Sequence, residues 1–138
     1  MSAPPPGGVH HLAIAVRDLT TTTAFYEGVL GLPILRRWPG ADGALRSIWL
    51  DLGGGAFLAL ERTTGGAGTR DDQTPGLQMV ALRIGRSARA DWETRLAAAG
   101  VAVVHRTAYT ITLRDPEGNR VGLSHWPDES PEAASPEA

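Results

Sequence analysis

The 138-residue chain has no cysteine. That absence removes thiol nucleophiles, thiolate metal sites and disulfide frameworks together, and it fits a reducing compartment. Lysine is missing too, so the 13 positive side chains are all arginine. Schiff-base chemistry is thereby excluded, and any anion the protein binds is met by a guanidinium. Charge of one sign is also lacking: 13 basic against 15 acidic residues leave a net charge of −2. Such a chain has no basic footprint for nucleic acid. Long apolar runs are absent as well. No stretch approaches the roughly 20 residues that cross a bilayer, and the opening MSAPPPGG has neither the positive nor the apolar region of a secretory signal. The expectation is one domain in the cytoplasm, with no membrane and no nucleic-acid partner.

What is present is a repeated order of elements. Residues 1–8, rich in Pro and Gly, read as a disordered lead-in. VHHLAIAV (Val9 to Val16) alternates as a strand, with Leu12, Ile14 and Val16 on one face and His11, Ala13 and Ala15 on the other. Asp18, Thr20 and Thr21 are candidate caps for a helix of about eleven residues, which carries Ala24, Phe25, Val29 and Leu30 at helical spacing and stops at Gly31. Three strands follow, over Pro33 to Trp38, Leu45 to Leu52 and Ala56 to Glu61, separated by Gly-rich turns.

After a Gly, Thr and Asp-rich linker at 63–76 the order recurs. Leu77 to Ile84 is a strand, and a helix starting near Ser87 presents Trp92, Leu96 and Ala99 on one side before Gly100. Strands over Val101 to Arg106, Tyr109 to Arg114 and Asn119 to Trp126 complete the second half. Residues 128–138 read as a disordered tail. Laying Ser47 to Glu61 over Thr110 to Ser124 superposes Ile48 on Ile111, Leu50 on Leu113, Leu58 on Val121 and Leu60 on Leu123. The fold class is therefore α+β. Two βαβββ modules, 9–62 and 77–127, pair as a curved mixed sheet in a single domain spanning 9–127, each helix covering one sheet face and the other face lining a cleft for a small organic ligand.

The stretches HHLAIAVRDL, AFYEGVLGLP and RDPEGNRVGL give the chain a close resemblance to the vicinal oxygen chelate superfamily. That superfamily groups glyoxalase I, bleomycin-resistance proteins, methylmalonyl-CoA epimerase, fosfomycin-resistance enzymes and extradiol dioxygenases. The resemblance covers about residues 9–127 and implies a glyoxalase/bleomycin resistance-like fold and a homodimer. In metal-dependent members, four inward-facing side chains hold a divalent ion that stabilises a developing oxyanion. Carried over by position, those ligands fall on His11, Ala59, Met79 and Gly122. Only His11 has a ligating side chain of the usual kind, since a thioether suits hard or borderline ions poorly.

Three functional readings follow. The first is a small-molecule-binding protein without cofactor or the usual four-ligand metal, its cleft lined by Trp49, Phe57, Met79, Arg83, Thr112, Ser124 and Trp126. The second is a metal-dependent lyase/isomerase or dioxygenase with a reduced site at His11 and Glu61. The third is a metal-free enzyme in which His11 or Glu61 is a general base. Arg83, on an otherwise apolar strand, calls for Glu61 or an acidic ligand to offset its desolvation. His10, His105 and His125 have the parity of outward or helix-facing positions, and Asp115 to Asn119 is turn chemistry.

Overall fold

The structure is a computed structural model that describes residues 3–66 and 70–129. The expected disordered termini lie partly outside the described residues, at 1–2 and 130–138. The chain divides into two compact units, 1–65 and 66–138, and the division falls inside the expected linker.

In module one, β1 (His11–Val16) leads into α1 (Leu19–Thr23). The Asp18 carboxylate caps α1 by accepting from Thr21 N at 2.9 Å. The helix then widens into a π-helical segment over Ala24–Val29, in which Leu30 N donates to Phe25 O at 3.1 Å. The wider turn lets two adjacent aromatics, Phe25 and Tyr26, both be buried, and their rings meet edge-on at 5.0 Å. The expected eleven-residue length matches Leu19 to Val29, and the change of pitch is a departure from simple helical spacing. Next come β2 (Ile34–Pro39), β3 (Leu45–Gly53) and β4 (Ala56–Arg62), and the sheet order is β1-β4-β3-β2. β1 runs parallel to β4, and the other pairs are antiparallel.

Module two repeats this topology. β5 (Met79–Arg83) is followed by a 3-10 turn at Arg86–Ala88 and by α2 (Arg89–Ala98). Then β6 (His105–Arg106), β7 (Thr110–Arg114) and β8 (Arg120–Ser124) complete a sheet of order β5-β8-β7-β6. β6 is far shorter than the expected strand from Val101 to Arg106. Val101 N is spent on Leu96 O at 2.9 Å, wrapping the end of α2 around Gly100, so pairing with β7 starts only at Val104 N, which donates to Thr112 O.

Each sheet buries one face. Ile48, Leu50, Leu58 and Leu60 are at most 4% exposed, and their overlaid counterparts Ile111, Leu113, Val121 and Leu123 at most 2%. Helical residues Leu19, Phe25, Tyr26 and Leu30 belong to the first core, and Leu96 to the second. Burying such side chains stabilises each module by roughly 1.5–3 kcal/mol apiece relative to exposure. The strand period of two then leaves the alternate residues on the opposite, open face of each sheet.

Candidate functional site

Strand register fixes which side chains share the open face of module one. His11 pairs with Phe57, which pairs with Asp51; Ala13 pairs with Ala59 and Ala59 with Trp49; Ala15 pairs with Glu61 and Glu61 with Ser47. On β2, Arg36 lies opposite Trp49 and Trp38 opposite Ser47. These residues form a continuous stack. The His11 imidazole lies parallel to Phe57 at 4.7 Å, Phe57 stacks on Trp49 at 4.4 Å, and Trp49 meets Trp38 at 5.2 Å. The Arg36 guanidinium sits 4.2 Å above Trp38. Below the stack, Ala59 is buried, and Ser47 Oγ donates to Glu61 Oε2 at 2.5 Å. The alanines Ala13 and Ala15 flank this aromatic layer on β1 and are exposed. Trp38, which sequence reading did not place, belongs to the layer because the β2–β3 register brings it there.

The open face of module two has the same register and different side chains. Met79 pairs with Arg120 and Arg120 with Arg114; Ala81 pairs with Gly122, Gly122 with Thr112 and Thr112 with His105; Arg83 pairs with Ser124 and Ser124 with Thr110. Here a cleft of about 700 Å³ opens, lined by Gln78, Met79, Val104, His105, Thr107, Tyr109, Thr110, Thr112, Arg114, Arg120 and Trp126. Trp126 is 66% exposed and offers an indole at its edge. Thr112 is buried, with its hydroxyl 3.8 Å from the Met79 sulfur. Ser124 lies outside the lining, where it accepts from Thr110 Oγ1 at 2.8 Å.

At the Met79 end the cleft is cationic. The Asp72 carboxylate accepts from Arg114 through both guanidinium nitrogens, at 3.1 and 2.5 Å, and Arg120 Nη2 lies 3.4 Å away. The Arg114 hydrogen bond is the main reason the Asp72 carboxyl is held below the usual carboxylate range, with the charges of Arg114, Arg120 and Arg70 adding to it. The same pairing raises the Arg114 guanidinium above its ordinary value. Arg120 Nε is buried and has no acceptor among the described residues.

The sequence-derived site residues thus divide. Met79, Thr112 and Trp126 are brought together in the module-two cleft, whereas Ser124 sits behind Thr110 outside the lining. His11, Trp49, Phe57 and Glu61 lie on the open face of module one. Arg83 is exposed, so no ion pair is required to offset desolvation, and the Glu61 carboxylate expected to meet it is engaged by Ser47 and by Arg46 at 3.7 Å. His105 corrects the parity read from the sequence: because β6 pairs His105 with Thr112, its side chain lines the cleft. His125 does face the helix, buried with Nε2 3.0 Å from Arg89 Nη1 of α2. Sequence reading missed Arg114 and Arg120, although each shares the strand parity of a residue it had placed, Thr112 and Gly122.

A family-type metal fits these side chains poorly. His11 is stacked on Phe57 and its Nδ1 lies 2.9 Å from His10 Nδ1. Ala59 has no donor atom. At Gly122 a Cβ would stand 2.8 Å from the Met79 sulfur and 3.1 Å from Thr110 Cγ2, so the thioether occupies the space into which a longer side chain would grow. Among the described residues no three His, Cys, Asp or Glu side chains gather. Nor does the reduced pair form. β1 and β4 stay in register without a bulge, which places Glu61 beside Ala15, four residues from His11. That is about 13 Å along the strand, too far for one ion bound at about 2.0–2.2 Å from each ligand.

Two βαβββ modules, each with one helix-covered and one open face, define a class of α+β folds built from a repeated unit. Within that class, the model of the Glyoxalase/Bleomycin resistance protein/Dioxygenase superfamily matches residues 8–123, and the chain belongs to that superfamily. Solved structures agree on the fold. A glyoxylase/bleomycin resistance protein/dioxygenase domain from Frankia sp. EAN1pec is 25% identical, with a TM-score of 0.73 over 88% of this chain and 98% of that one. A glyoxalase/dioxygenase from Nostoc punctiforme is 21% identical, with a TM-score of 0.73 over 93% and 99%. A lactoylglutathione lyase from Agrobacterium tumefaciens is 22% identical, with a TM-score of 0.69 over 91% and 100%. Comparison with curated proteins gives no match.

Proposed function

We propose that this chain is a small-molecule-binding member of the superfamily which holds its ligand on the open face of module two and works without the four-ligand metal site of its metal-dependent relatives. The cleft of about 700 Å³ carries this reading. Its size suits a small organic molecule, and its lining combines apolar surface with a few polar groups that can fix orientation. Met79 supplies an adaptable thioether and Trp126 a flat apolar surface, while Thr107, Thr110 and Tyr109 belong to the same lining. The reduced metal site at His11 and Glu61 is not carried forward, because β1–β4 register separates the two residues. A cytoplasmic location and a homodimer belong to the same proposal, the second to be read by sedimentation.

Two experiments test it. In a thermal-shift screen of neutral and anionic aromatic fragments, hits should stabilise the protein by mass action. Those shifts should vanish in Thr112→Trp, which fills the cleft, and shrink in Trp126→Ala, which removes an exposed side chain. Hits indifferent to both substitutions overturn the reading. Separately, protein purified without chelator and titrated with Zn²⁺, Ni²⁺, Mn²⁺ and Fe²⁺ should take up no stoichiometric ion. One equivalent that His11→Ala abolishes contradicts the metal-free part.

A further inference from the structure

The lining of the module-two cleft contains two guanidinium groups, Arg114 and Arg120, and no carboxylate. One acidic residue reaches them from outside the lining. Asp72 comes from the segment between the modules and takes both terminal nitrogens of Arg114, with Arg120 at 3.4 Å. Its side chain is 23% exposed, and those of Arg114 and Arg120 are 37% and 33% exposed, so this corner is only partly hydrated. The charges do not balance. Among the described residues a single carboxylate answers Arg114 and Arg120, and Arg70 acts on the same carboxylate. The Arg120 Nε–H is buried without an acceptor, a donor whose lost hydration nothing in the described protein replaces.

We infer that the Arg114–Arg120 corner is an anion subsite of the cleft, which takes the carboxylate or phosphate group of an organic ligand, and that Asp72 is its internal counter-ion. The inference rests on the proposed ligand cleft and specifies the class of ligand. A planar oxyanion matches a guanidinium fork in two parallel hydrogen bonds, the geometry that Asp72 already displays on Arg114. An entering anion finds Arg120 incompletely paired and competes with Asp72 for Arg114. Its organic part then extends toward Met79, Thr112 and Trp126.

The test is calorimetric titration of the full chain with a matched pair of probes, 2-naphthoate and its neutral analogue 2-naphthamide. The carboxylate should bind roughly tenfold or more tightly than the amide, and Arg120→Gln should erase that difference while leaving amide binding in place. Asp72→Asn keeps the side-chain shape and removes the competing charge, so it should tighten naphthoate binding several-fold and leave naphthamide unchanged. If Asp72 served only to hold the fold, its substitution would weaken both probes alike or neither, which overturns the counter-ion role. Equal binding of the two probes to the parent protein overturns the anion subsite and leaves the ligand cleft standing. Failure of both probes to bind, when neutral fragments from the screen also fail, overturns the cleft and the subsite together. Inorganic phosphate as a competitor of naphthoate, and not of naphthamide, separates a subsite that accepts any oxyanion from one selective for carboxylate.

Discussion

The two modules share one topology and one register, and they differ on the face each leaves open. Under the overlay of Ser47 to Glu61 on Thr110 to Ser124, Trp49 corresponds to Thr112, Phe57 to Arg120, Asp51 to Arg114 and Ala59 to Gly122. Even a side-chain hydrogen bond is kept: Ser47 to Glu61 at 2.5 Å in one module, Thr110 to Ser124 at 2.8 Å in the other. Module one fills its face with aromatic rings that stack on each other and partly cover one another's apolar area. Module two has a hydroxyl and a guanidinium at the same places and keeps a cleft. The scaffold is thus indifferent to what its open face carries, and a few differing side chains on a repeated framework separate a face filled by its own rings from one that keeps a cleft.

The comparison is most strongly tested where the modules are claimed to be equal. Leu60→Ala and Leu123→Ala remove equivalent buried side chains, and each should cost about 2–5 kcal/mol in equilibrium denaturation; a large gap between them breaks the structural equivalence. Trp49→Ala should cost about 2–3 kcal/mol, because a half-buried ring leaves the stack, with fragment binding to module two unchanged. Loss of binding in that variant would return the aromatic face to the site. A smaller effect separates the paired hydroxyls: Ser47→Ala should cost about 1 kcal/mol through its bond to a carboxylate, and Thr110→Val less, since its bond is to a neutral serine. Smallest is a pH effect. Asp72 has its carboxyl lowered in the folded protein, so its contribution is complete above the ordinary carboxylate value and disappears as pH falls through the lowered one. Asp72→Asn should flatten that part of the acid limb of a stability profile, and an unchanged limb would show that Asp72 pairing does not stabilise the fold.

The helix-covered faces were legible in the sequence because burial enforces a period of two, and the overlay of Ile48, Leu50, Leu58 and Leu60 on their counterparts identified both cores. The open faces were only partly legible. His11, Phe57 and Trp49 were correctly put on one face by parity, but parity cannot tell a ring that offers its surface to a ligand from one that is stacked on its neighbour. That distinction depends on side-chain orientation across β1, β4 and β3. His105 escaped because β6 begins after a turn that sequence pattern reads as strand, and a shift in where pairing starts changes which face a residue meets. Arg114 and Arg120 had readable parity, but they flank the DPEGN turn, whose charges are explained by turn geometry, and their shared partner Asp72 lies in a stretch without periodicity. Such long-range pairing leaves no local signal.

On the proposed function, module two's open face receives the ligand while module one's is occupied by its own aromatic side chains. Amide and indole chemical-shift mapping during titration with 2-naphthoate tests it most directly. Perturbations are expected at Met79, His105, Thr112, Arg120 and Trp126, with the Trp49 indole and the amides of His11 and Phe57 unmoved. Shifts concentrated at His11, Phe57 and Trp49, with the module-two residues silent, would contradict it.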